Sequence, residues 1–329
     1  MKKTLIALAV LAASGASFAQ VTITGSLAMG YKATTSSAAG DKSGLGVDTS
    51  EIDFMATEDL GGGMKATAKM GLAGADRSNE SALTTAAVAG RDASLVLTGG
   101  FGAVALTSTR SADYLSGGLS GVAGIGFDLK VFGVRRIADA ISYSVPVGPV
   151  SLTLQHQENS ITSIPTSGGL GVGATGSSAQ RLNVISATYA PGKLAANIQY
   201  LSYDNRDNAV GSNTADYVTR ANGNYDFGMA KLGLGYSQAN YSGGGTAKEG
   251  LVGVSVPLGA VTLGAQWGQR KVEDATGTAI ANGTFHGSGL NAAYALSKRT
   301  SIVGMYARWD VPAASSASTE ASVLVIHNF

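Results

Sequence analysis

From Val21 onward, apolar side chains return at every second position. Val21, Ile23, Leu27, Met29 and Tyr31 alternate with Thr22, Thr24, Ser26, Ala28 and Gly30. A period of two puts successive side chains on opposite faces of an extended strand, here one apolar and one polar. The pattern recurs where Met64, Ala66, Ala68 and Met70 alternate with Lys65, Thr67 and Lys69. It returns again through Val150, Leu152 and Leu154, through Leu194, Ala196, Ile198 and Tyr200, and through Val261, Leu263, Ala265 and Trp267. Helical spacing is sustained only in the first twenty residues.

The segments between strands are of two kinds, which take turns along the chain. Short ones are Leu60–Gly63, Gly99–Gly102, Pro146–Pro149, Pro191–Gly192, Phe227–Gly228, Pro257–Gly259 and Ser297–Arg299, all but the last carrying the Gly or Pro that hairpin turns favour. Long ones are polar, including Thr34–Thr49, Ala75–Gly90, Glu158–Ser178, Asp204–Ala215, Lys271–Gly283 and Asp310–Thr319. About sixteen strands fit between them, the second near residues 50–59, the twelfth near 249–256 and the fourteenth near 284–296. A strand of about ten residues tilted by about 45° covers about 23 Å, the height of an outer-membrane apolar band. The sequence thus predicts an all-β, sixteen-stranded antiparallel up-and-down transmembrane barrel, with short periplasmic turns and long extracellular loops. Aromatic residues near strand ends (Tyr31, Phe101, Tyr143, Tyr189, Tyr203, Phe227, Trp267, Trp309) suit interfacial girdles. A barrel of this size is too wide for side chains to fill, which implies a water-filled lumen.

Composition narrows the classes further. Gly makes up 46 of 329 residues, and only 14% of residues are charged, against about 7% and about 25% in ordinary globular chains. There is no Cys, so disulfides, thiolate metal sites and cysteine nucleophiles are excluded. The start reads as a secretory leader: basic Lys2 and Lys3, an apolar run from Leu5 to Ala13, and a small-x-small cleavage site at Ser17-Phe18-Ala19. Residues 1–19 are thus expected to be removed, leaving 20–329 as a single barrel domain. Without the two leader lysines the chain has 21 basic against 22 acidic residues, a balance that suits no nucleic-acid partner.

Several segments carry a resemblance. Val21-Thr22-Ile23-Thr24-Gly25, Thr57-Glu58-Asp59-Leu60-Gly61-Gly62-Gly63, Gly90-Arg91-Asp92-Ala93, Gly99 to Leu106, Leu296-Ser297-Lys298-Arg299-Thr300 and the terminal His327-Asn328-Phe329 stand in order along the chain. In them the sequence resembles the Gram-negative general porins, in particular the β-proteobacterial trimeric type, over its whole mature length. The resemblance implies a homotrimer in the bacterial outer membrane, in contact with lipid and lipopolysaccharide. It also implies passive diffusion of ions and small hydrophilic solutes, no cofactor, and a third long loop folded inward to narrow the pore. That loop is Ser111–Val134. Phe329 on an amphipathic last strand resembles the signal read by the barrel assembly machinery. The first and last strands offer flat apolar faces for subunit contact.

Charged groups at a constriction decide which ions enter, because Coulomb forces are weakly screened at close range. The candidates are Asp113 and Asp128 from the loop, and Arg91, Arg110, Arg135 and Arg136 from the wall. By alternation Lys65 and Lys69 face the lumen as a basic ladder. Glu51 stands where the family commonly has Arg, and Ser108, Ser142 and Ile326 also replace family arginines, which leaves the sign of selectivity open. Asp204 and Asp207 offer oxygen ligands of the kind calcium takes; a plain solvated turn accounts for the same residues. Catalysis finds little material. His156, His286 and His327 are scattered, with no metal-ligand spacing and no nucleophile elbow. The remaining alternatives are a solute-selective channel, which calls for an aromatic ladder through the constriction, and a barrel enzyme, which calls for a clustered acid, His and Ser.

Overall fold

A computed structural model of the chain describes residues 20–35, 40–74, 89–110, 113–128, 130–133, 137–159, 180–204, 215–310 and 317–329. The leader assigned to residues 1–19 lies outside them. Sixteen strands run β1 (Gln20–Thr35), β2 (Lys42–Gly61), β3 (Met64–Ala73), β4 (Ala89–Gly99), β5 (Gly102–Arg110), β6 (Ile137–Val147), β7 (Val150–Asn159) and β8 (Gln180–Tyr189). They continue as β9 (Leu194–Tyr203), β10 (Tyr217–Asp226), β11 (Lys231–Asn240), β12 (Thr246–Leu258), β13 (Val261–Glu273), β14 (Ala279–Ala295), β15 (Thr300–Trp309) and β16 (Ser318–Asn328). Each pairs antiparallel with its chain neighbours, and β1 pairs with β16 to close the barrel. Closure leaves no unpaired edge, the condition for crossing a bilayer with strands.

All seven short turns fall where the sequence places them, six of them marked by Gly or Pro. Gly61, Gly62 and Gly63 hold φ of 79°, 62° and 79° between β2 and β3, a left-handed run that a Cβ disfavours. At three long spacers the sequence reading gives way to longer strands. Residues 42–49, expected in a loop, prolong β2 along β1, with Met29 opposite Val47 and Thr34 opposite Lys42. Their Gly and Asp have little strand preference, but the ladder on β1 supplies the missing backbone partners. Likewise β12 begins at Thr246 and β14 at Ala279, so only a tight turn joins β13 to β14. There the Asp274 carboxylate accepts from the Thr276 and Thr278 N–H groups, at 2.9 and 3.0 Å.

The outer face carries the apolar half of each alternation: Ile23, Met29, Met70, Leu95, Leu154, Ile198, Leu234, Leu290 and Val323 are all exposed there. The buried apolar residues lie on the inside instead. One cluster joins Leu115, Ile125, Phe127, Val131 and Phe132 of the third loop to Leu251 and Ala307 of the wall. A second joins inward residues of β8 to β13, among them Leu182, Val184, Leu201, Val218 and Val272. What positions the pore is therefore the loop between β5 and β6, which lies within the barrel against one side of it.

Candidate functional site: the inner wall and its loop

The loop is first organised by its own side chains. The Asp113 carboxylate accepts from the Leu115 N–H at 3.1 Å and from the Ser116 hydroxyl. Ser116 Oγ in turn accepts from the Phe127 N–H at 2.9 Å, tying the loop's beginning to its end. The Phe127 carbonyl receives the Val131 and Phe132 N–H groups at 2.9 and 3.0 Å, closing a tight return. Burial pushes the Asp113 carboxyl above its ordinary 3.8, partly offset by these hydrogen bonds. The neighbouring Tyr114 phenol, half-buried, is pushed up to about 12 by that burial.

The wall is shaped to receive this loop. On β11, β13 and β14 six of the inward positions facing it are glycines. A Cβ at Gly235 would meet Ser120 Oγ at 2.6 Å, one at Gly264 the Ala123 carbonyl oxygen at 2.6 Å, and one at Gly268 the Phe132 ring at 2.9 Å. Gly233, Gly287 and Gly289 are occupied in the same way by Ser120, Val131 and Ile125. Side-chain amides then bind the loop's carbonyls: Asn222 to Tyr114 at 2.6 Å, Asn224 to Leu119 at 2.7 Å and Gln266 to Ile125 at 2.9 Å. On β9, directly opposite Asn222, Asn197 Oδ1 accepts from Tyr114 Oη at 3.0 Å. Each such bond contributes a net ~1 kcal/mol, whereas burying Leu115, Ile125, Phe127 or Val131 contributes about 1.5–3 kcal/mol each. Apolar burial thus supplies most of the seating energy, and the amides set the register.

With β9 to β15 covered, the open lumen faces β1 to β4 and β16. Here the wall is charged. Lys69 Nζ lies 2.9 Å from Asp53, Arg91 Nη1 2.5 Å from Glu51, and Lys32 Nζ 3.2 Å from Glu320. Glu320 also holds Lys130 of the loop at 3.2 Å, and that ammonium lies 5.3 Å from the centre of the Trp309 ring. Arg91 reaches the lumen through a bulge. Simple alternation with Leu95 and Leu97 would turn it outward. Between β3 and β4, however, the register shifts so that Met70 faces Ala93 and Leu72 faces Gly90. The extra residue turns Arg91 in beside Asp92, whose carboxylate is 3.6 Å from Nε.

The expected constriction residues are therefore not one ring. Arg91, Lys69 and Lys65 are on the inner wall, and Asp128 is on the loop, bridged to Phe132 through the backbone. Arg110 is corrected: alternation along β5 places it on the outer face with Leu106 and Ser108, and only its N–H turns to Asp92, at 3.1 Å. Asp113 is corrected too, since it is folded under the loop and serves its turn rather than the pore. Arg135, Arg136 and Asp207 lie outside the described residues. Asp204 follows β9 with its N–H on the Arg181 carbonyl at 2.9 Å. Among the described residues no group of three or more His, Cys, Asp or Glu is arranged to hold a metal. The three histidines sit on the outer faces of β7, β14 and β16, beside Asn183, Gln269 and Thr300 respectively.

Reasoning from sequence passed over the glycine trough, the amide series and Glu320. The trough had a signal: Gly233-x-Gly235 and Gly287-x-Gly289 repeat at the strand period on the inward parity. Phe329 extends the β1–β16 closure, exchanging both backbone hydrogen bonds with Gly25 at 3.0 Å, and its ring covers the space where Gly25 has no side chain.

Comparison with known proteins agrees with this architecture. Over 95% of its length the chain superposes on the whole of an anion-selective porin from Comamonas acidovorans, with TM-score 0.66 and 19% identity. A variant of the Rh. blastica porin gives 0.65 with 15% identity, covering 94% of this chain and all of that one. An outer membrane protein of Vibrio cholerae lacking its loop L8 gives 0.63 with 14% identity, over 94% of this chain and 99% of that one. In sequence, 72 residues are 53% identical to outer membrane porin protein 32 of Delftia acidovorans, a stretch that spans 20% of each chain. The Gram-negative porin family profile matches residues 4–313. By that match, and with the fold it requires, the chain belongs to the Gram-negative porin family.

Proposed function

We propose that the chain forms a water-filled channel in the bacterial outer membrane for passive diffusion of ions and small hydrophilic solutes, and that it is no enzyme. The observation that carries this reading is the division of the lumen. The third loop is packed on one wall by apolar burial, and the opposite wall remains polar, charged and partly exposed, with Lys69 38% and Arg91 33% accessible. A plug would cover both walls. A channel needs one wall bare, with charges arrayed along the path of the solute.

The rest of the assignment follows the family. Residues 1–19 act as a cleaved leader, so that the mature protein begins at Gln20, which N-terminal sequencing reads. Three copies associate through the apolar outer faces of β1 and β16. Lipopolysaccharide surrounds the remainder, and the barrel assembly machinery inserts the chain by its Phe329 end. The functional test is single-channel recording of the folded protein in a planar bilayer. Stepwise conductance that scales with bulk salt is the expected result. A folded, inserted protein that passes no current would sink the reading.

A further inference from the structure

Four of the cations on the open wall and its loop are held in ion pairs. Lys69 has Asp53 at 2.9 Å, Arg91 has Glu51 at 2.5 Å and Asp92 at 3.6 Å, and Lys32 and Lys130 share Glu320 at 3.2 Å each. With Asp48 3.9 Å from Lys32, four cations thus meet five carboxylates across β1 to β4, β16 and the loop. A passing ion a few ångströms away sees each pair as a dipole, whose field falls off faster than that of a bare charge. Glu51 and Asp53 differ from Glu320 in kind. Glu320 is only 9% exposed and ties the loop to β1, whereas Glu51 and Asp53 are 31% and 21% exposed. Both stand on the inner face of β2, two positions apart, opposite the wall that the loop covers.

We propose that Glu51 and Asp53 are the residues that set this pore's ion preference, by cancelling Arg91 and Lys69, so that small cations and anions pass with little discrimination. The proposal rests on the channel reading and adds the class of solute the pore selects. Removing Asp53 exposes Lys69, and removing Glu51 leaves Arg91 with only the more distant Asp92, so each turns the pore towards anions; removing Lys69 exposes Asp53 and turns it towards cations.

The test is the reversal potential under a salt gradient for the wild type, Glu51→Gln, Asp53→Asn and Lys69→Met. The wild type is expected to show an anion-to-cation permeability ratio near unity. A unit charge about 4 Å from the ion path in a water-like medium changes the local ion concentration about fivefold. Screening by salt reduces this, so Glu51→Gln and Asp53→Asn should each raise the ratio by about two- to fivefold, with Lys69→Met lowering it by a similar factor. The opposed signs separate charge from damage, because a merely disturbed barrel would shift all three variants the same way. A wild type that prefers anions by more than about tenfold, or conducting variants with unshifted reversal potentials, overturns the proposal and leaves the channel standing. Absence of conductance from folded wild type overturns the channel and this proposal with it.

Discussion

Single residues hold the third loop, and they act by shape and by protonation. At Gly264 the hydrogen takes the space into which the Ala123 backbone fits. Gly264→Val adds three carbons there, an overpacking that costs about 1–3 kcal/mol. The loop is then expected to lift from its trough, giving a noisier channel whose loop is cut faster by protease; unchanged noise and cutting would refute this account. Asp113 acts through its proton. Burial raises its pKa above 3.8, so the seated loop binds a proton more tightly than an unseated one. The stability of the seat is therefore full below 3.8, falls as pH rises towards the raised value, and then levels off. Asp113→Asn should abolish this slope, which loop proteolysis measured from about pH 4 upward would reveal. If wild type and variant share one pH profile, Asp113 is not the group responsible. Arg91 and Arg110 teach a related lesson. Both look like wall arginines in the sequence, and a single bulge turns one inward while plain alternation leaves the other outside.

At the scale of elements, strand existence was legible and strand length was not. Alternation marks the apolar face of β1 or β3 without help, because a half-buried strand must keep its parity. The residues 42–49 of β2 carry Gly, Asp and Ser and show no such pattern, so only β1 beside them makes them a strand. The closing pair illustrates an element finishing its neighbour. Gly25 on β1 leaves a gap over which the Phe329 ring lies, and Phe329 stacks on His327 with centroids 6.5 Å apart. Phe329→Ala opens that gap and gives up about 1 kcal/mol of apolar contact, since the ring is 43% exposed. Assembly should slow more than stability falls, if the ring is also the end that the insertion machinery reads. Pulse-labelled folding, followed by the migration of unheated barrel on gels, would show it. A variant that assembles at the wild-type rate would remove Phe329 from that role.

For the whole molecule, closure settles where apolar surface is left. Val21, Ile23, Leu27 and Met29 of β1 and Val323 and Val325 of β16 form a continuous outer patch that two bonded strands hold flat. Tyr31 and Phe329 bound this patch at its two ends, while a longer run of aromatics, Tyr200, Tyr225, Tyr236, Trp267, Tyr294 and Tyr306, is exposed on β9 to β15. Aromatics suit a lipid interface, while a flat aliphatic face suits another copy of itself. Cross-linking in mild detergent should yield a trimer. Replacing Ile23 and Val325 together by Lys should release monomers that still show the far-ultraviolet signature of a barrel. Monomers in the unsubstituted protein would refute the assignment.

The amino-acid sequence by itself determined the strand count, the turns, the two-faced wall and the family, because all of these follow from local periodicity and from Gly and Pro where backbone angles demand them. It also showed that a long loop stands between Arg110 and Ile137. Only the tertiary structure decided which wall that loop covers, since the glycines and amides that seat it come from strands more than a hundred residues away. It decided likewise that Arg91 faces Glu51 and that Asp113 is hidden. A bulge and a loop fold depend on contacts between distant segments, and alternation carries no information about either.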